Sequence, residues 1–446
     1  MKDRLRVAIN AQVKPGGGLG GVVTVLRALA ALASLDGPEE YVFVGPHDSL
    51  ELLRSILPPG QKIVPGPEPV VWSVDRMEPF KRALGPLRPA ARGLRRILNT
   101  TVQTAKSGAS GHDSFKFFTP TPPKNFYEGL GYDVVHFPFL SYEPCGLPAV
   151  YNPHDLQHLH YPEFFDQTDI AWRENLYPSA CRSAHTVVVA SEFVKRDVIE
   201  RYRIEPHKIQ VIPWAPPPLP ESTPAEEFST LRSKYGLSEL PFALYPAMTW
   251  EHKNHLRLLE ALALLRDRDG LEIRFVFTGY KTDFWPRVER RVNELGLAGR
   301  VNFLGLIPCE ELSMLYRAAQ FVFVPTLFEA ASAPLFEAWQ HSVPVACSSV
   351  TSLPEQAAGA ALLFDPFEVE AIARALGRMA TEEVLRDELR QLGARRLDDF
   401  SLERTAKAYR AVYRRAAGLR LGEEDRRLLG WDWMRGSAPA ARPGIE

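Results

Sequence analysis

The stretch Pro213-Trp214-Ala215-Pro216-Pro217-Pro218-Leu219-Pro220-Glu221-Ser222-Thr223-Pro224 constrains this chain more than any other feature. Proline fixes its own backbone torsion and lacks an N–H, so such a run continues neither a helix nor a central strand. On both sides of it the sequence keeps one rhythm of short apolar runs and longer helix-like segments. Before the break, strands are predicted at Arg6–Asn10, Tyr41–Val44, Val134–Phe137, Thr186–Ala190 and Ile209–Ile212, with a helix over Val22–Leu35. After it they are predicted at Phe242–Tyr245, Ile273–Phe277, Val301–Leu304 and Phe321–Val324, with helices over His255–Asp267, Glu310–Gln320 and Leu402–Gly418. Such alternation predicts mainly parallel sheets with helices on both faces, whose ligands bind outside the carboxyl ends of the strands. At 446 residues the chain is also too long for a single core. The expected organisation is α/β, with a first domain over 1–213, a linker over 214–240, a second domain over 241–415 and a closing segment over 416–446.

Charge excludes one class of partner. With 53 Lys+Arg against 54 Asp+Glu, no global field favours nucleic acid. Cys145, Cys181, Cys309 and Cys347 are scattered, which fits a reducing cytosol, and no long uncharged apolar run offers a membrane span. Lys81, Arg82, Arg88, Arg92, Arg95 and Arg96 alternate with Phe80, Leu84, Leu87, Leu94, Ile97 and Leu98, a basic amphipathic pattern suited to resting on anionic lipid at the inner membrane face.

Two segments of the second domain carry chemistry. In the first, a buried strand ends at Pro325 and Pro334 suits the opening turn of a helix, so free backbone N–H groups face whatever lies above the strand. Glu329 lies in the loop and Glu337 just inside the helix; eight helical residues span about 12 Å, the scale of a sugar nucleotide. In the second segment, Lys253 stands at the start of an apolar-periodic helix, where its ammonium and the helix end together can neutralise a phosphate.

Glu329 and Glu337, with Ala338-Trp339-Gln340-His341-Ser342-Val343-Pro344-Val345-Ala346 and Ser352-Leu353-Pro354-Glu355 after them, resemble the donor-site signature of retaining family 4 glycosyltransferases. The resemblance implies the GT-B fold, two Rossmann-like doubly wound domains facing across a cleft. It implies a C-terminal helix crossing back onto the N-terminal domain, with Trp431 and Trp433 as anchors. Glu337 would hold the ribose and Glu329 would lie beside the transferred sugar. Lys253 would contact the diphosphate, and Asn254, Ser332 and Ala333 would complete the donor-binding set. His154, in the segment from Val150 to Phe165, would face the transferred sugar and join Glu329 and Lys253 as catalytic residues. Gly17, Gly18 and Gly20 would line the cleft.

The implied reaction moves a hexose from a nucleotide diphosphate sugar to a sugar or lipid-linked acceptor, without cofactor or metal. The segment from His154 to Phe165 leans toward mannose from GDP-mannose, for surface polysaccharide assembly. Two departures are present. Ala247 and Met248 occupy positions where relatives often carry an arginine, which leaves Arg257 or a residue of the N-terminal domain to supply a second cation. Ala330 and Ser332 stand where glycines are common, and Ser332 is expected to cap the helix or meet a phosphate. These departures keep two alternatives open: a non-catalytic scaffold that binds sugar nucleotides, and a nucleotide-sugar epimerase. Three histidines at 154, 158 and 160 raise zinc as a weaker alternative, and Asp267-Arg268-Asp269 is expected to be a turn.

Overall fold

The computed structural model describes residues 4–11, 13, 20–66, 126–139, 141–216, 219, 226–237 and 241–433. Gly17, Gly18, the basic stretch from Phe80 to Leu98 and the tail from Gly436 lie outside the described residues; Gly20 opens a helix, Gly20–Ala30.

Two parallel sheets form. The first has the order β3-β2-β1-β4-β5-β6-β7. Its strands are β1 (Arg6–Asn10), β2 (Glu40–Gly45), β3 (Lys62–Pro65), β4 (Val134–Phe137), β5 (Ala149–Tyr151), β6 (Thr186–Val189) and β7 (Ile209–Val211). The second has the order β10-β9-β8-β11-β12-β13. It contains β8 (Phe242–Pro246), β9 (Arg274–Thr278), β10 (Val301–Phe303), β11 (Phe321–Val324), β12 (Val345–Ser348) and β13 (Leu362–Phe364). Every strand pair is parallel, in registers such as Ile9 opposite His136 and Val322 opposite Leu244. Runs such as Phe321–Val324 are buried throughout, as parallel strands covered on both faces must be.

Each sheet reverses its direction of winding once, between β1 and β4 in the first and between β8 and β11 in the second. At such a point the connections leave toward opposite faces and a crevice opens at the strands' carboxyl ends. Each sheet therefore offers one preferred place for a ligand.

Each sheet has its own apolar core. The helix Leu402–Ala416 belongs to the first core, so the return of the chain begins at Leu402, well before residue 416. Tyr413 and Tyr409 attach it through a buried chain: His136 Nδ1 lies 2.8 Å from the Tyr413 hydroxyl, His136 Nε2 2.9 Å from Asn152 Oδ1, and Asn152 Nδ2 donates to the Tyr409 hydroxyl at 3.1 Å. Burial pushes the His136 imidazole down to about 4, so this network is built on a neutral ring. Trp433 is buried in the same core, and Trp431 packs half-buried against it.

Two local differences from the sequence expectation stand out. Residues Glu226–Tyr235, inside the proline-marked linker span, form a helix whose Leu231 joins the second core. Asp267 and Asp269 lie in the last turn of the helix His255–Asp269, paired with their neighbours Arg266 and Arg268, instead of in a turn.

Candidate active site

The reversal point of the second sheet gathers the predicted donor residues. Lys253 follows β8 and Glu329 follows β11, and Lys253 Nζ lies 2.5 Å from Glu329 Oε1. These side chains are 18 % and 14 % exposed, so the pair is largely desolvated and its mutual attraction is stronger than at an open surface.

Asn254 makes this encounter possible. Its backbone adopts a left-handed φ of 62°, which asparagine tolerates better than most residues. Its buried Nδ2 donates to Pro325 O at 2.9 Å and to Pro366 O at 2.8 Å, tying together the ends of β8, β11 and β13. Its Oδ1 accepts from Arg257 Nη1 at 3.1 Å. Asn254 thus spends its amide on positioning. Arg257 is thereby tied to Asn254, the residue after Lys253.

The loop from Thr326 to Ser332 is pinned at several backbone atoms. Leu327 N donates to His252 O at 2.7 Å, Glu329 N to Thr351 Oγ1 at 3.1 Å, and Ser352 Oγ to Glu329 O at 2.8 Å. Gln356 grips Ser332 from both sides, accepting from Ser332 N and donating to Ser332 O, each at 2.8 Å. Gln356 was missed in the sequence because its partner is a backbone unit. Ser332 itself does not cap the helix Ala333–Gln340: no side-chain cap bond forms, and its buried Oγ has no partner. The amide end of that helix and one hydroxyl are therefore left for an anion. Ala333 is half-buried in its first turn.

Glu337 stands further along the same helix. The Tyr316 hydroxyl donates to its Oε2 at 2.5 Å, which leaves Oε1 for another donor. Protein surrounds the carboxyl closely enough that burial raises its pKa above the usual range, partly opposed by the Tyr316 bond.

Gly279, at the end of β9, has a φ of 116°, and a Cβ there would lie 2.7 Å from the carbonyl of Ala247. The Ala247–Met248 backbone is pressed against this glycine.

His154 lies on the opposite side, after β5. Asp155 N donates to Pro153 O at 2.9 Å across a His154 φ of 64°, a strained γ-turn. Its Nε2 lies 2.7 Å from the carbonyl oxygen of Pro138, so that nitrogen carries the proton and donates, and the ring stacks on Phe139. Burial lowers its pKa, and a neutral ring leaves Nδ1 as an acceptor. His154 makes neither of these contacts to the donor half. His158 is bonded to Glu174 and His160 to Asp197, and among the described residues no group of three or more His, Cys, Asp and Glu is placed to hold a metal ion.

The two domains meet at the donor loop, a contact the sequence reading did not anticipate. Phe328 packs against Tyr161, His160 and Phe193 at ring-centroid distances of 6.2, 5.3 and 6.0 Å. Tyr161 donates its hydroxyl to Leu327 O at 3.3 Å. Glu355, close after the clamp residues Thr351 and Ser352, accepts from Phe193 N at 2.8 Å and so caps the helix Glu192–Tyr202 of the other domain. The carboxyl ends of both sheets are thereby brought to one cleft.

Two parallel doubly wound domains with a cation, an uncapped helix end and two carboxylates at one reversal point define the GT-B class of glycosyltransferase. Residues 242–382 match the model for glycosyl transferases group 1, and residues 108–215 that for glycosyltransferase family 4. The chain belongs to this glycosyltransferase family. It is 30% identical over 274 residues to the O-antigen chain mannosyltransferase B of Escherichia coli, covering 59% of this chain and 70% of that protein. It is 26% identical to the D-inositol 3-phosphate glycosyltransferase of Corynebacterium jeikeium, covering 64% of this chain and 73% of that one. Its fold is similar to that of WaaG, a glycosyltransferase involved in lipopolysaccharide biosynthesis, with a TM-score of 0.60 at 18% identity, over 91% of this chain and 99% of that one. Among the described residues no helix is long and apolar enough to cross a membrane.

Proposed function

We propose that this chain is a retaining hexosyltransferase that takes its sugar, mannose in the first instance, from a nucleotide diphosphate sugar and delivers it to a hydroxyl of a sugar or lipid-linked acceptor. The observation that carries this reading is the Lys253–Glu329 pair beside the uncapped Ala333–Gln340 helix. In this reading the diphosphate takes over Lys253 and the helix amides, with Arg257 supplying the second positive charge. Glu329, released from the ammonium, accepts hydrogen bonds from the transferred sugar. Glu337 Oε1 accepts from the ribose, and His154 bounds the sugar from the N-terminal side. Charge building on the departing phosphate is then met by fixed donors, the form of stabilisation that does most to accelerate such reactions.

The step balances without a metal. The bond from the anomeric carbon to phosphate breaks, the acceptor oxygen bonds to that carbon on the same face, and the acceptor proton leaves with the nucleoside diphosphate. The O-antigen mannosyltransferase relative supports mannose and polysaccharide assembly as the setting.

A panel of nucleotide sugars screened by thermal shift, then assayed for transfer in excess chelator, tests the reading. A donor at about 100 times its Kd stabilises the fold by about 2.7 kcal/mol. GDP-mannose is expected to give the largest shift and a product of unchanged anomeric configuration. Donor conversion without any acceptor would favour an epimerase, and binding without turnover a scaffold.

A further inference from the structure

Arg396, in the last turn of the helix Glu383–Leu397, is fully buried together with its carboxylate partner Asp399. Such a pair is a poor source of stability, because both charges must leave water and apolar side chains of similar volume often serve as well. What distinguishes it is where the guanidinium sends its N–H groups. Nη1 donates to Asp399 Oδ2 at 2.8 Å, Nε to Gln356 O at 2.9 Å, and Nη2 to Glu355 O at 2.9 Å and to Trp433 O at 3.4 Å. Its face covers the ring of Phe400 at 4.6 Å, and Phe400 meets Phe336, the neighbour of Glu337, at a ring-centroid distance of 4.8 Å.

These acceptors come from both halves of the molecule. Glu355 and Gln356 lie in the short helix Leu353–Ala357 of the second domain, and Gln356 is the side chain that grips both sides of the Ser332 peptide group. Trp433 belongs to the apolar core of the first domain. Glu355 reaches that domain by a second route, since its carboxylate accepts from Phe193 N at 2.8 Å. The Glu355–Gln356 pair is therefore held to the first domain through both side chain and backbone, and to the donor loop through Gln356. A planar guanidinium fixes the directions of several acceptors at once, which an ammonium on a flexible stem does not. Movement of Trp433 O redirects the group that holds the Gln356 backbone, and with it the amide on which Ser332 depends.

We infer that Arg396 is a positioning residue that makes the amide end of the Ala333–Gln340 helix depend on how Trp433 is seated in the first domain. The closing segment of the chain, acting through Arg396 and the Glu355–Gln356 pair, sets the geometry of the Ser332 clamp. As a role in catalysis this rests on the transferase reading above; as a mechanical link it does not. The donor side of the cleft then takes its final shape only when the closing segment is docked on the other domain.

The test is hydrogen–deuterium exchange of residues 326–340 in the full chain, where the Leu327, Glu329 and Ser332 amides are bonded, read beside kcat. Arg396→Met combined with Asp399→Asn cuts the link without leaving a buried charge unpaired, and Trp433→Ala loosens it from the far end. Each is expected to speed exchange in 326–340 by about tenfold, the factor matching one hydrogen bond made by a charged group. Trp433→Phe should restore part of the protection. All changes together should do no more than the Arg396 and Asp399 changes alone, because one link cannot be cut twice. Arg396→Lys, which keeps the charge and loses the fork, repeats the test should the apolar variant not fold. Where the wild type transfers sugar, kcat should fall in step with the lost protection. Unchanged exchange in 326–340, with Trp433→Ala loosening first-domain peptides only, overturns the inference, as do Arg396 and Trp433 effects that multiply independently. Failure of the transferase reading registers separately, as wild type without transfer or Lys253→Ala with unchanged kcat, and leaves the exchange result standing.

Discussion

Lys253 Nζ lies 2.5 Å from Glu329 Oε1, so the ammonium after β8 and the carboxylate after β11 neutralise each other across the reversal of the second sheet. The pair keeps two charges of opposite duty in one crevice before any ligand arrives. A diphosphate sugar can satisfy both partners at once, phosphate oxygens on the ammonium and sugar hydroxyls on the carboxylate.

Replacing the ammonium should therefore act mainly on the chemical step. Lys253→Ala is expected to lower kcat by about 100- to 1000-fold, the range found when one donor to a developing anion is removed. It also leaves Glu329 without its counter-charge in a mostly buried position, so the melting temperature should fall. Steady-state kinetics checks the first effect and thermal unfolding the second; unchanged kcat would place the diphosphate elsewhere.

Glu337 predicts a binding effect with a definite pH sign. Glu337→Gln should raise the donor KM by about tenfold while kcat stays within a few-fold, because a ribose contact is made equally in ground and transition states. Burial holds the native carboxyl above its unfolded pKa. Unfolding then releases a proton in the interval between the two values, so stability is greatest below that interval and declines as pH climbs through it. Unfolding curves across the acidic range should show this decline in wild type and a smaller one in Glu337→Gln.

Gln356 is a positioning residue with a measurable cost. Gln356→Ala strips both partners from the buried Ser332 peptide groups, and about 1–3 kcal/mol of stability should be lost. Because the loop also carries Glu329, kcat should fall as well, whereas nucleotide binding through Glu337 should change little. Denaturant melts with parallel kinetics separate these effects.

Phe328 links the donor loop to the other domain. Phe328→Ala removes the ring that meets His160, Tyr161 and Phe193 and should lower kcat more than it raises donor KM, since Glu329 is the next residue. Phe328→Leu, which keeps much of the apolar volume, should restore part of the loss. Equal kinetics for all three proteins would remove the domain contact from the account.

His255 offers the opposite sign. It is fully buried among Tyr245, Phe277 and Phe303, both ring nitrogens lack partners, and burial lowers its pKa to about 3. His255→Leu removes two unsatisfied polar atoms and should raise stability by about 1–2 kcal/mol, readable as a higher melting temperature. A decrease would mean that the ring stacking outweighs the missing hydrogen bonds.

The legible parts of the fold were those with a long local signal. Apolar runs such as Arg6–Asn10 and Phe321–Val324 were read as strands because burial on both faces leaves no alternation to confuse them. Four strands went unread: β3, β5, β12 and β13 are no shorter than β7 or β10, which were read, but their identity comes from parallel pairing with neighbours in the sheet rather than from their own sequence. In the site, Lys253, Glu329 and Glu337 could be picked out because their loops follow predicted strand ends. Gln356 and Thr351 could not, and Ser352 entered only as part of the quoted signature without a role, since all three act on backbone atoms more than twenty residues away along the chain. The Phe328 contact with the N-terminal domain was equally hidden, because an aromatic in a loop carries no mark of which surface will receive it.

A crystal structure of the protein soaked with a nucleoside diphosphate sugar tests the central claim most directly. The predicted result has the diphosphate within hydrogen-bond distance of Lys253 Nζ and the amide end of the Ala333–Gln340 helix, the ribose on Glu337, and Glu329 turned from the lysine to the sugar. A diphosphate bound away from that helix end, with the Lys253–Glu329 pair intact and Glu337 still joined only to Tyr316, would contradict it.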